Sequence, residues 1–254
     1  MTHATLRFHS PTLGMRVQMT ALLPESGKPP FATLYLLHGL SDDDSIWTRL
    51  SRIESYGWNL PIAIVMPQGF RGFYTNHVEG PAYADYIARD VVGTAERLLP
   101  LKAARKARSI AGLSMGGYGA LRLALGYPDL FCAGVSHSGA VLYGHEAEQR
   151  HESPWKPYEL KQIFGKSPRG SDHDLVALAK KRKAEGTLPK LSLDCGTDDF
   201  LLEQNRRFHA KLEALKVPHE FTQFPGWHNW DYWDEHVRQT LPFVARAMGV
   251  KLNA

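Results

Sequence analysis

The sequence predicts an α/β fold with a mostly parallel central sheet and helices on both faces. Three observations predict it. Short apolar runs alternate with amphipathic stretches of helical length. Several of those runs, such as Phe31 to Leu37 and Ile62 to Met66, are apolar at nearly every position rather than every second one. That is the pattern of strands covered on both faces. Finally, 254 residues of ordinary composition, 43% hydrophobic and 22% charged, can bury a large core without disulfide or metal staples. One sheet of this kind absorbs such a length, so a single domain spanning 1–254 is expected.

The elements follow in order. Leu6 to Leu22 alternates loosely around Gly14, as a hairpin does. Phe31 to His38 is a buried strand ending at Gly39, and Ile62 to Met66 is a second, bounded by Pro61 and Pro67. Between them Ile46 to Tyr56 carries Trp47, Leu50 and Ile53 on one helical face. Ala82 to Leu99 reads as an amphipathic helix, entered through Pro81 and stopped by Pro100. Ser109 to Leu113 is a strand, Met115 to Leu125 a buried helix and Phe131 to Ser136 a strand. Leu191 to Cys195 and His219 to Phe224 are strands flanking the helix Leu201 to Leu215, and Tyr232 to Met248 closes the chain. Residues 141–190 interrupt the alternation with Pro154, Pro157, Pro168 and Pro189 and only short helical pieces. A cap-like insertion over one end of the sheet is expected there.

Composition excludes several classes of function. Two cysteines, Cys132 and Cys195, are too few for a disulfide scaffold, and no Cys/His spacing suits zinc. The N-terminus lacks a signal-peptide pattern, and no apolar run is long enough to span a bilayer, so a cytoplasmic protein without membrane partners is expected. The net charge of +4 is thinly spread, which argues against a nucleic-acid partner. Its densest run, Lys180 to Lys183, reads as the solvated end of a helix, where cations are favoured.

The chemistry concentrates at Gly112-Leu113-Ser114-Met115-Gly116. A G-x-S-x-G between a strand and a helix forces the serine onto a sharp turn that lifts its oxygen above the sheet edge. A serine hydroxyl needs a base, and the base an orienting carboxylate, in the chain order Ser, acid, His. The acid belongs just past a strand end, where Asp198 and Asp199 stand side by side. Asp199 is preferred, and the spacing leaves Asp198 open. Asp194 lies inside the strand and reads as structural. Of 12 histidines, His228 is on the loop after the last strand and before the closing helix, which makes it the base. His145 and His151 read as solvated. The backbone N–H groups of Leu40 and Met115 are the expected oxyanion hole. Trp47, Tyr74, Trp227 and Trp230, with Phe73 and Arg71 nearby, are candidate substrate contacts, although Trp47 fits a core position equally well.

Together these blocks resemble the esterase D family of α/β-hydrolases, which includes S-formylglutathione hydrolases and tributyrin- and acetyl-esterase-like carboxylesterases. The carrying residues are Leu36 to Asp42 with Trp47, Met66-Pro67, Tyr74-Thr75, Gly112 to Ala120, Cys195 to Leu201 and Gly226 to Trp230, spread over most of the chain. The resemblance implies the acid at Asp199 and oxyanion donors at Leu40 and Met115. It implies a serine carboxylesterase for short-chain acyl esters that needs no cofactor and takes a small-molecule ester as its partner. The cysteine-bearing stretch usual in S-formylglutathione hydrolases is replaced by Ser153-Pro154-Trp155-Lys156-Pro157-Tyr158. Acyl transfer to another acceptor would use the same residues, and a non-catalytic binding protein on this scaffold would not need them. Whether copies of the chain form a homo-oligomer stays open at this level.

Overall fold

The computed structural model describes residues 1–146 and 156–251. Eight strands form one sheet in the order β1-β2-β4-β3-β5-β6-β7-β8. β1 (Thr2–Ser10) and β2 (Met15–Leu23) make the expected hairpin, turned by Gly14 at φ +64°. β1 and β2 pair antiparallel, and β2 joins β4 (Ile62–Pro67) the same way. Every other pairing is parallel: β3 (Ala32–Leu37), β5 (Arg108–Leu113), β6 (Ala133–His137), β7 (Lys190–Gly196) and β8 (Glu220–Phe224).

β3, β4, β5 and β6 are buried at every position, including the polar Thr33, Arg108, Ser109, Ser136 and His137. The two faces take alternate side chains. Leu34 and Leu36 of β3 join a core with Trp47, Ile53 and the closing helix, whereas Tyr35 and Leu37 join the opposite core with Tyr118, Leu121 and Phe208. The chain runs from β3 outward to β4, then returns to place β5 on the other side of β3. Such a reversal opens a crevice beyond the carboxyl ends of the two central strands, the usual ligand position in an open α/β sheet. Leu37 pairs with Gly112 at that end.

Two predicted helices are broken. The stretch from Ile46 splits into α1 (Ile46–Leu50) and α2 (Ile53–Gly57). The Arg52 N–H leaves the helical ladder and donates to Asp234 Oδ1 at 2.7 Å, a partner too distant in sequence for local periodicity to reveal. The stretch after Pro81 becomes α3 (Tyr83–Asp85), a π-helical turn (Tyr86–Val91) and α4 (Val92–Leu98). In that turn Tyr86 donates to Gln68 O at 3.0 Å, and Asp90 accepts the Thr12 N–H from the β1–β2 hairpin at 3.0 Å.

α5 (Met115–Gly126) is buried along almost its whole length. Within 141–190 the described residues hold α6 (Pro157–Phe164) and α7 (Leu175–Ala184) and no strand before β7 begins at Lys190. Leu160, Phe164, Leu175 and Leu178 join the α5-side core. Val78 N–H donates to Ile163 O at 3.1 Å, which ties α6 to the loop after β4. Lys181, Arg182 and Lys183 occupy the last turn of α7, where the lysines are exposed but Arg182 is buried, so the run is not solvated throughout. α8 (Leu202–Ala214) and α9 (Trp230–Met248) complete the fold. No helix among the described residues is long and apolar enough to cross a membrane.

Candidate active site

Ser114 stands between β5 and α5 at φ 53°, ψ −115°, a conformation that L-residues rarely adopt. The surroundings hold it there. Its N–H donates to His137 O at 2.9 Å, and its carbonyl accepts from Ala140 N at 3.1 Å. A β-carbon at Gly116 would lie 2.5 Å from His38 O and 2.7 Å from Leu37 O, so the turn needs glycine at that position. Ser114 is 6% exposed.

Three loops converge on its hydroxyl. From the loop before α9, His228 brings Nε2 to 3.0 Å from Ser114 Oγ. His228 Nδ1 lies 2.8 Å from Asp199 Oδ2 on the loop after β7. A carboxylate can only accept, so Nδ1 carries the proton and Nε2 presents a lone pair to the serine. Asp199 Oδ1 accepts the Leu201 N–H at 2.8 Å, which fixes the carboxylate from its other side. Asp198 is exposed, and its carboxylate accepts from Thr197 Oγ1 at 3.1 Å. Its N–H donates to Gly226 O at 2.9 Å, so Asp198 ties the two loops together through backbone while Asp199 meets the histidine. Asn229 accepts the Tyr232 N–H at 3.1 Å and caps α9 directly behind His228.

The third loop follows β3. A β-carbon at Gly39 would lie 2.6 Å from Leu113 Cδ1 and in ordinary contact with Ser114 Cβ at 3.8 Å, so the loop passes beside the serine. His38 is the loop's anchor, a role that the local sequence pattern did not single out. Its Nε2 accepts the Gly69 N–H at 2.8 Å, and its Nδ1 donates to Gly39 O at 2.7 Å. Burial lowers its pKa to about 4, so the ring is neutral and can play both parts. Tyr74 Oη donates to His38 O at 3.0 Å. Among the described residues, neither the Leu40 nor the Met115 N–H donates to a protein acceptor. Met115 opens α5, where free N–H groups and the helix dipole favour negative charge.

The aromatic candidates divide. Trp47 is 1% exposed and donates from Nε1 to Leu37 O at 3.1 Å, and Trp230 packs edge-on against it at 5.1 Å. Trp47 is therefore a core residue and offers no ring face to a ligand. Tyr74 is likewise sealed, and it acts on the site only by bracing His38. Phe73 is enclosed by Tyr118 and Phe164. Trp230 is half-buried against Trp47 and Trp233. Trp227, at 64% exposed, presents its ring to solvent. Arg71 is held by both Glu159 oxygens, at 3.1 and 3.0 Å. His145 is not solvated: Nδ1 lies 2.8 Å from Asp174 Oδ2 at the start of α7. His151 and Ser153 to Trp155 lie outside the described residues.

Two further aromatics flank His228. Phe200 tilts onto the imidazole with centroids 4.6 Å apart, and Trp233 meets it edge-on at 4.9 Å. Both had a legible signal: Phe200 directly follows the acid, and Trp233 lies in the first turn of the helix behind the base.

The esterase family model, whose description reads "Putative esterase", matches residues 10–244. An acetyl esterase of Caldicellulosiruptor saccharolyticus is 29% identical over 259 residues, covering 95% of this chain and 97% of its own. Among solved structures, FphF, a fluorophosphonate-binding serine hydrolase of Staphylococcus aureus, is similar at TM-score 0.86 and 34% identity, over 96% of this chain and 98% of that one. The S-formylglutathione hydrolase FrmB of the same organism is similar at TM-score 0.85 and 34% identity, over 96% and 98% of the two chains.

Proposed function

This chain belongs to the esterase family, an esterase D-like group of α/β-hydrolase-fold serine hydrolases, and from that premise we propose that it hydrolyses short-chain acyl esters through Ser114, His228 and Asp199. The observation that carries the reading is the unbroken chain from Asp199 Oδ2 through His228 to Ser114 Oγ, at 2.8 and 3.0 Å, beside two uncommitted N–H groups. The small acyl group is favoured by the likeness to an acetyl esterase along almost the whole of both chains.

In this mechanism Ser114 Oγ attacks the ester carbonyl while His228 Nε2 takes the hydroxyl proton. The carbonyl oxygen becomes an oxyanion on the N–H groups of Leu40 and Met115, each worth about 10²–10³ in rate. The tetrahedral species then breaks its bond to the alcohol oxygen, which leaves with the proton from His228 Nε2. Water repeats the sequence on the acyl-enzyme: His228 takes its proton, the hydroxyl adds to the acyl carbon, and Ser114 departs reprotonated. Asp199 holds the productive tautomer and stabilises the imidazolium.

A second reading is favoured by the similarity to FrmB: the same residues would cleave a glutathione thioester. Hydrolysis of p-nitrophenyl acetate by wild type and Ser114→Ala, with S-formylglutathione run in parallel, tests both. The acyl-ester reading expects turnover of the acetate that Ser114→Ala abolishes. Ser114→Ala retaining wild-type rates would overturn the mechanism, and a strong preference for the thioester would replace the substrate.

A further inference from the structure

We propose that Phe200 forms the alcohol side of the substrate site, and that this side takes an apolar, planar leaving group such as a phenol or aromatic alcohol. The inference rests on the assignment of Ser114 and His228 above and deepens it. Phe200 is 56% exposed, although a phenylalanine ring is a large apolar surface to leave in water. It nevertheless has a defined seat, tilted by 55° on the His228 imidazole with centroids 4.6 Å apart. Its backbone is held from both sides: Asp199 before it is fixed by His228, and the Leu201 N–H after it donates to Asp199 Oδ1 at 2.8 Å. The backbone that carries the ring is therefore fixed beside the imidazole while the acid stays in place.

The direction of the chemistry assigns this ring to one half of the ester. His228 Nε2 must hydrogen-bond the departing oxygen in order to protonate it, so the alcohol leaves along the imidazole. The carbonyl oxygen turns instead to the N–H groups of Leu40 and Met115, which stand after β3 and at the start of α5 rather than on the loop that carries Phe200. Phe200 thus borders the leaving group and not the oxyanion. An exposed ring at that place gains by covering its face with another apolar surface, and aromatic pairs add to the area buried. A glutathione or sugar leaving group brings a polar surface to the same ring.

The test is the ratio of kcat/KM for phenyl acetate over ethyl acetate in wild type, Phe200→Leu and Phe200→Ala, with the rate of Ser114 labelling by a fluorophosphonate probe measured on each. Dividing the variant ratio by the wild-type ratio cancels the difference in intrinsic ester reactivity. Labelling expels fluoride and reports the serine and base without an alcohol group. Phe200→Ala should lower the ratio about tenfold, Phe200→Leu should fall between, and labelling should keep its wild-type rate. An unchanged ratio overturns the proposal. A parallel fall in both esters and in labelling also overturns it, because Phe200 would then hold His228 in place. A wild-type protein that neither labels nor hydrolyses acetate overturns this inference together with the reading it rests on.

Discussion

β7 and the loop after it carry two aspartates that each lie beside a histidine, but only His228 Nδ1 is hydrogen-bonded to its aspartate, and the two rows differ again in what lies beyond the imidazole. Asp199 Oδ2 is 2.8 Å from His228 Nδ1, and His228 Nε2 is 3.0 Å from Ser114 Oγ. Asp194 Oδ2 is 2.6 Å from His137 Nδ1, and His137 Nε2 is 2.7 Å from Thr240 Oγ1. By residue type and distance both are a carboxylate, an imidazole and a hydroxyl in a row. Thr240, however, is 2% exposed inside α9, where backbone N–H groups are spent on the helix itself. Ser114 stands on a strained turn at a helix start, with the uncommitted N–H groups of Leu40 and Met115 beside it. What separates the two hydroxyls is where they stand: Ser114 on a strained turn at a helix start, Thr240 inside a helix whose N–H groups are already spent.

The buried row also serves the open one. The carbonyl of His137 accepts the Ser114 N–H at 2.9 Å, and the carbonyl of Asp194 accepts the Ser138 N–H at 2.8 Å. Tyr232, in the first turn of the helix behind His228, donates from Oη to Asp194 at 2.9 Å. The buried row therefore lies directly under the Ser114 turn and the start of α9.

Substitutions in the two rows should separate them. Ser114→Ala and His228→Ala should each cost on the order of 10⁶ in kcat for p-nitrophenyl acetate, with thermal unfolding close to wild type. Asp199→Asn should cost roughly 10⁴, because the amide stabilises the wrong imidazole tautomer. Asp198→Asn should leave kcat near wild type, since that carboxylate faces solvent; the reverse ranking would move the acid to Asp198. Thr240→Val, in the buried row, should leave kcat/KM at the wild-type level. It removes the partner of a buried imidazole nitrogen, so denaturant unfolding should show a loss of about 1–3 kcal/mol. Activity falling without a loss of stability would contradict the division between the rows.

The smallest effect is a pH dependence. His38 has its folded pKa lowered to about 4 from 6.5. Between those values the unfolded chain binds more protons than the folded one, so this group's contribution to stability is complete above pH 6.5 and is lost as pH falls toward 4. His38→Asn should remove at most about 1.4 kcal/mol per pH unit of that slope. Denaturation curves across the window measure it, and an unchanged slope would place the neutral imidazole elsewhere.

Much of this was legible in the sequence because it rests on local pattern. The unbroken apolar runs located the buried strands, and the glycines around Ser114 announced a turn that only they permit. The chain order of serine, acid and histidine follows from that fold, so His228 stood out among many histidines. What stayed hidden depends on contacts between distant residues. The break after Leu50 is made by Asp234, and which of the two adjacent aspartates turns its carboxylate to His228 is set by the fold and not by the local sequence. The aromatic candidates show the same limit: a motif places Trp47 and Tyr74 near the site, yet their burial is set by neighbours on other elements. Phe200, in contrast, follows the acid directly in sequence and stays more than half exposed.

The central claim, that Ser114 forms the acyl-enzyme, is tested most directly by acid-quenching the wild-type protein during turnover of p-nitrophenyl acetate and mapping the acetyl group by peptide mass spectrometry. The account predicts acetate on Ser114 and none in the Ser114→Ala protein. Acetate on another residue that turns over at the catalytic rate, or full turnover by Ser114→Ala, would contradict it.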